Sequence, residues 1–225
     1  MSGAVVLLSG GLDSTVTLAF AVRDRGDVVA LSFRYGQKHT RELGSAAAVA
    51  AHYGVRHVVV DVDLSSFSSS LIGEDGEVPS DRPLEEIGKG IPSTYVPARN
   101  IIMLSVALGL CESVGADTIY IGANTVDYSG YPDCTGAFFR AFEAMAAAGT
   151  KTGVEGNPIK IATPIQDMSK ADIVKAGKAM GAPLGLTWSC YGGGEKACGR
   201  CDSCRLRLKG FADAGYEDEI PYEAV

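Results

Sequence analysis

Six residues near the N-terminus, Ser9-Gly10-Gly11-Leu12-Asp13-Ser14, have the types and spacing to hold a phosphate. Two glycines let the backbone approach a ligand with no Cβ in the way. The N–H groups of such a turn, and of the helix that follows it, converge on one point, where the helix dipole adds positive potential. Ser9 and Ser14 add hydroxyl donors, and Asp13 adds a carboxylate suited, with phosphate oxygens, to Mg²⁺. The loop has neither a Gly-Lys-Ser/Thr ending nor a Gly-x-Gly-x-x-Gly pattern, so the Walker and dinucleotide loops do not apply. A glycine turn with Asp or Ser capping a helix is the plainer alternative.

The second cluster is at the other end of the chain. Of six cysteines, Cys190, Cys198, Cys201 and Cys204 fall within fifteen positions, and Cys111 and Cys134 stand apart. The spacing C-x7-C-x2-C-x2-C fits four thiolates around one tetrahedral zinc. With four cysteine ligands no position stays open for water, which makes the site structural. Arg200 and Arg205 stand beside the ligands to offset their charge. An iron–sulfur cluster takes the same ligands, a redox dithiol needs only two of them, and four packed core thiols need no metal. Cys111 lies on an apolar stretch and reads as a small buried hydrophobe.

These groups need a scaffold, and the hydrophobic pattern supplies one. Short apolar runs at 4–8, 28–33, 57–62, 118–121 and 159–162 read as strands. Helical patterns at 13–25, 40–53, 98–114, 137–148, 170–180 and 202–214 alternate with them. That alternation predicts an α/β fold, a doubly wound parallel sheet covered on both faces. Residues 65–90 lose the periodicity and read as a long excursion. With no repeat or linker, 1–225 reads as one domain ending in a zinc-binding helical segment from about residue 186.

Composition limits the partners. The chain has 225 residues, 46% hydrophobic and 21% charged, with a formal net charge of −7. An acidic total speaks against a long nucleic acid as ligand. The N-terminus lacks a basic segment followed by an apolar one, and no apolar run approaches the ~20 residues a bilayer requires. A cytoplasmic protein with small-molecule substrates and no membrane partner is expected.

The first loop resembles the SGGxDS loop of the PP-loop ATP-pyrophosphatases, which have an adenine nucleotide alpha-hydrolase-like fold. More of the chain is similar to the 7-cyano-7-deazaguanine synthase family. The matching pieces are Ser9–Ser14, Tyr35-Gly36-Gln37, Val96-Pro97-Ala98-Arg99-Asn100, the run from Asp127 to Cys134, Ser169-Lys170 and the four-cysteine tail. The resemblance implies a ligase that adenylates 7-carboxy-7-deazaguanine with ATP, takes up ammonia, and adenylates the resulting amide on the way to a nitrile. It implies ATP contacts from Leu8, Ser9, Gly10, Gly11, Leu12, Asp13, Ser14, Thr15, Val16, Thr17 and Leu18, with Ser9, Asp13, Ser14 and Arg99 in catalysis. Tyr35, Gln37, Asn100, Asp127 and Asp133 are its candidates for holding the heterocycle. It also implies ATP with Mg²⁺ as substrate, one structural Zn²⁺ per chain, and a homodimer. A tRNA-thiolating enzyme with the same loop is the second reading; it requires a basic patch and a working cysteine pair. A non-catalytic zinc module would leave the loop unexplained, and 225 residues leave no room for the glutaminase domain of an amidotransferase.

Overall fold

Side chains alternate across a strand, and that period sets the layers here. The computed structural model describes residues 3–37, 39–72, 79–87, 90–126 and 131–223. The strands are β1 (Gly3–Leu7), β2 (Val28–Arg34), β3 (Arg56–Asp61), β4 (Ala116–Tyr120) and β5 (Lys160–Ala162). The helices are α1 (Leu12–Asp24), α2 (Arg41–Tyr53), α3 (Arg99–Val114), α4 (Gly136–Gly149), the short α5 (Lys151–Val154), α6 (Lys170–Ala179) and α7 (Asp202–Ala214). Ala4 and Val6 of β1 pack on one face of the sheet with Leu18 of α1 and Ala46 and Val49 of α2. Val5 of the same strand packs on the other face with Leu104 and Leu108 of α3 and Phe139 and Phe142 of α4. Strands buried on both faces read as continuous apolar runs, as β1 and the first four residues of β2 do.

All strand pairs are parallel and the sheet order is β3-β2-β1-β4-β5. The chain therefore winds outward from β1 in one direction and resumes at β4 on its other side. Helices leaving β1 and β4 diverge to opposite faces, which opens a crevice at the carboxyl ends of those two strands. The elements follow the sequence-based expectation closely; α5 was not anticipated. No described helix is long and apolar enough to cross a membrane.

The C-terminal segment is tied down by one buried ion pair. Arg207 of α7 donates from Nε and Nη2 to Asp218 at 2.7 and 2.9 Å, and both side chains are 2–3% exposed. Arg207 also donates to Thr187 Oγ1 and the Leu184 carbonyl. Tyr222 donates to Asp218 at 2.6 Å. Removing one partner strands a buried charge. Asp218→Ala is expected to destabilise the fold by about 3–5 kcal/mol. Thermal unfolding checks this, and a loss below about 1 kcal/mol would contradict it.

The excursion is docked where it is described. Asp81 N donates to the Arg200 carbonyl at 3.0 Å, and Ser80 forms an antiparallel bridge with Cys201. Arg82 pairs with the buried Asp202, and Arg205 donates to the Arg82 carbonyl. These partners lie more than 100 residues apart in sequence, so local periodicity carries no trace of them.

Candidate active site

The phosphate-type loop leaves β1 in that crevice and is shaped by its own hydroxyls. Ser14 Oγ accepts from Ser9 N at 3.2 Å and donates to the Gly11 carbonyl at 3.1 Å. Ser9 Oγ lies 3.0 Å from Ser14 Oγ and accepts from Gly11 N at 3.2 Å. Gly11 precedes helix α1 as its N-cap and offers no side-chain cap, which leaves first-turn N–H groups for an anion. Gly10 has φ +90°, and its α-carbon lies against the first turns of α2.

Lys170, the first residue of α6, donates to both Asp13 carboxylate oxygens at 2.8 Å. A capping box between Ser169 and Asp172 fixes the start of that helix. A cation and a carboxylate thus stand together at the loop's mouth, in position to meet phosphate oxygens and their Mg²⁺.

The facing wall begins at α3. Ala98 precedes the helix with φ +55°, a left-handed conformation rare for alanine. This turn directs Arg99 and Asn100 inward. Arg99 Nη1 donates to Tyr35 Oη at 3.5 Å, and the guanidinium is 5.9 Å from that ring's centre. Burial opposes the Arg99 charge, but the hydroxyls of Tyr35, Tyr131 and Tyr191 hold its pKa above the ordinary value. Burial pushes the Tyr35 phenol up, and Arg99 works in the opposite direction.

Asn100 N donates to Asp133 Oδ2 at 3.0 Å, and its side-chain amide donates to the Asp133 carbonyl and to Cys134 Sγ, each at 3.2 Å. Asp133 is 4% exposed, serves as a cap for α3, and does not line the cavity. Burial lifts the Cys134 thiol to about 12, with Asp133 adding to the shift, so it remains a thiol at neutral pH. Gln37 closes its own turn, accepting from Tyr35 N at 2.7 Å and donating to the Phe33 carbonyl at 3.2 Å. Asp127 lies outside the described residues.

The walls enclose a cavity of about 350 Å³, the scale of a small-molecule site. Leu8, Ser9, Gly11, Leu12, Asp13, Ser14, Tyr35, Gln37, Arg99 and Asn100 line it. Gly10 does not, and Thr15, Val16, Thr17 and Leu18 lie buried inside α1, away from the cavity.

Three cavity residues were not singled out from sequence. Lys170 entered only as part of the matching Ser169-Lys170 helix start, with no role of its own. Trp188 donates from its backbone to the Gly10 carbonyl at 2.8 Å and carries the Arg41 guanidinium 3.8 Å over its ring. Glu42, in the first turn of α2, lines the cavity, and burial raises its carboxyl to about 7, with Arg99 opposing. An acid in a first helical turn ordinarily reads as a dipole partner, so nothing in the sequence distinguished it.

The four cysteines of the tail converge. Their sulfurs lie within 4.8 Å of one another, and Cys198 Sγ is 3.9 Å from Cys204 Sγ. Four sulfurs each ~2.3 Å from one tetrahedral ion lie about 3.8 Å apart, so the arrangement fits a metal. Gly192 N and Cys198 N donate to Cys190 Sγ at 3.2 and 3.3 Å. Hydrogen bonds from the Cys201 and Cys204 thiols and from these amides lower the Cys190 pKa, while the same thiol bonds raise those of Cys201 and Cys204. Cys111, on α3, is fully buried against the sheet.

Two solved structures share the fold at low identity. One is a 4-thiouridine synthetase in complex with RNA and ATP, with TM-score 0.51, 19% identity, and 80% of this chain and 41% of that one covered. The other is the NMN synthetase of Francisella tularensis, with TM-score 0.50, 12% identity, and 96% and 78% covered. Two proteins named 7-cyano-7-deazaguanine synthase are far more similar. That of Thermoplasma acidophilum is 53% identical over 220 residues, covering 98% of this chain and 92% of its own. That of Xanthomonas campestris pv. campestris is 55% identical over 225 residues, covering 99% and 98%. The family described as "Queuosine biosynthesis protein QueC" matches residues 3–215. A match of that extent, around a pyrophosphate-type loop and a four-cysteine cluster, means that this chain belongs to the QueC family.

Proposed function

We propose that this protein is an ATP-dependent ligase that converts 7-carboxy-7-deazaguanine and ammonia into 7-cyano-7-deazaguanine. The observation that carries the reading is the Ser9–Ser14 loop opening, beside Asp13–Lys170 and opposite Arg99, into one half-open cavity of a QueC-family chain. A carboxylate is a poor electrophile for ammonia, and adenylation provides it with a good leaving group. In this reading the loop and the α1 N-terminus bind the β,γ-pyrophosphate, and Asp13 orients the Mg²⁺ that accompanies ATP. Lys170 then turns from Asp13 toward phosphate oxygens. Arg99 stabilises charge at the α-phosphate or on the substrate carboxylate, for which its planar fork is suited. Tyr35 and Asn100 line the substrate end. Gln37 and Asp133 act as positioning residues through the Tyr35 turn and the α3 cap.

The metal in this reading is one Zn²⁺ per chain, held by Cys190, Cys198, Cys201 and Cys204. Zinc supplies a covalent-strength crosslink there and no chemistry at the cavity. The enzyme is read as a cytoplasmic homodimer, for which light scattering is expected to give twice the 23.4 kDa chain mass.

The test is an ATP assay with 7-carboxy-7-deazaguanine and ammonium, with products read by mass. AMP, pyrophosphate and the nitrile are expected, with two ATP consumed per nitrile. ADP as the nucleotide product would exclude the mechanism, and AMP formed only with tRNA present would favour the thiolation reading.

A further inference from the structure

The cavity holds two carboxylates, and their situations differ. Asp13 is bound by Lys170. Glu42 lies at the start of α2, its backbone against Gly10 of the loop, and has no hydrogen bond or ion pair among the described residues. The charged and titratable groups around it are Arg99 from α3, Tyr35 from the β2 end and Cys190 from the cysteine segment. Arg99 meets Tyr35 instead of Glu42. A largely buried carboxylate without a hydrogen-bonded partner is costly to maintain. The cost is offset when a ligand brings hydrogen-bond donors or positive charge to it.

We propose that the Glu42 carboxylate is the subsite for the nitrogen substrate, holding it as an ammonium ion between the nucleotide loop and the acyl group. This rests on the reaction proposed above, which consumes ammonia, present in solution mainly as a cation the size of a water molecule, and names no group to bind it. The bound ammonium passes one proton to the Glu42 carboxylate, and the lone pair so freed attacks the acyl carbon. Of the cavity's cation-binding groups, Asp13 pairs with Lys170 in the free protein and is taken by the metal of ATP in the proposed complex. Glu42 remains, on the loop side of the cavity where the adenylate forms.

Glu42→Gln keeps the shape and removes the charge. It is expected to raise the KM for ammonium at least tenfold while moving the KM for the carboxylate substrate less than threefold. Hydroxylamine is uncharged at the same pH and needs no anion to hold it. Its conversion to hydroxamate by Glu42→Gln is expected to stay within threefold of the native rate. Ammonium chloride, against sodium chloride, is expected to raise the melting temperature of the native protein and not that of Glu42→Gln. An unchanged ammonium KM overturns the proposal. So does a rise confined to the carboxylate KM, which would assign Glu42 to the heterocycle. If the native protein forms no AMP with the carboxylate, the reaction is wrong; the ammonium thermal shift then still decides the subsite.

Discussion

Replacing Gly10 by alanine is expected to lower ATP-dependent turnover at least a hundredfold and to destabilise the protein by about 3 kcal/mol or more. Two effects act together. The residue sits at φ +90°, where a Cβ costs roughly 1–2 kcal/mol. That Cβ would also lie 2.1 Å from the Glu42 carbonyl oxygen and 2.7 Å from Ala46 N. Both are backbone atoms of α2, so no rotamer change relieves the clash; either the loop or the helix must move. Displacing the loop by an ångström misaligns every donor aimed at the pyrophosphate, and catalysis by positioning is sensitive to shifts of that size. Gly44→Ala is the matched control. Gly44 is exposed on the same helix with nothing within 4 Å of an added Cβ, and alanine there is expected to stabilise by up to about 1 kcal/mol. Turnover and thermal melting of both variants check this. Native turnover in Gly10→Ala would show that the loop does not bind the reacting nucleotide.

Cys204→Ser is expected to release the metal and to lower the melting temperature by about 10 °C, corresponding to roughly 3–5 kcal/mol for a chain of this size. Cys204 is 1% exposed, and the cluster sits at a junction. Trp188 connects it to Gly10, Arg41 bridges from α2 to the Gly194 carbonyl at 2.8 Å, and the docked residues 79–87 rest on Arg200 and Asp202. Loosening the cluster therefore removes one wall of the cavity. Turnover is expected to fall with stability even though the cysteines have no chemical role in the proposed reaction. Metal content by elemental analysis should read one zinc per native chain and none in the variant. Iron would assign the same sulfurs to a cluster. A metal-free variant that melts like the native protein would show that packing alone holds the segment.

The order of strands and helices was legible because both faces of this sheet are buried. Runs such as Val28–Leu31 are apolar throughout, and the helices between them bury one side, so short apolar runs and a period of 3.6 mark the elements locally. The glycine turn between β1 and α1 was legible for a related reason: its glycines, serines and aspartate are contiguous, and its shape depends on local turn geometry. The cysteine cluster was legible because ligand spacing within fifteen residues already limits how the sulfurs can meet. Contacts between distant segments left no such mark. Asp133 caps α3 from 33 residues away, and Lys170 reaches Asp13 across 157. In sequence, the first looks like a turn aspartate and the second like an ordinary helix-start lysine. Glu42 looks like a dipole partner until folding encloses it. Pairings of this kind depend on where parallel strands and their crossovers bring chain segments together, which is a property of the whole packed sheet and not of any local period.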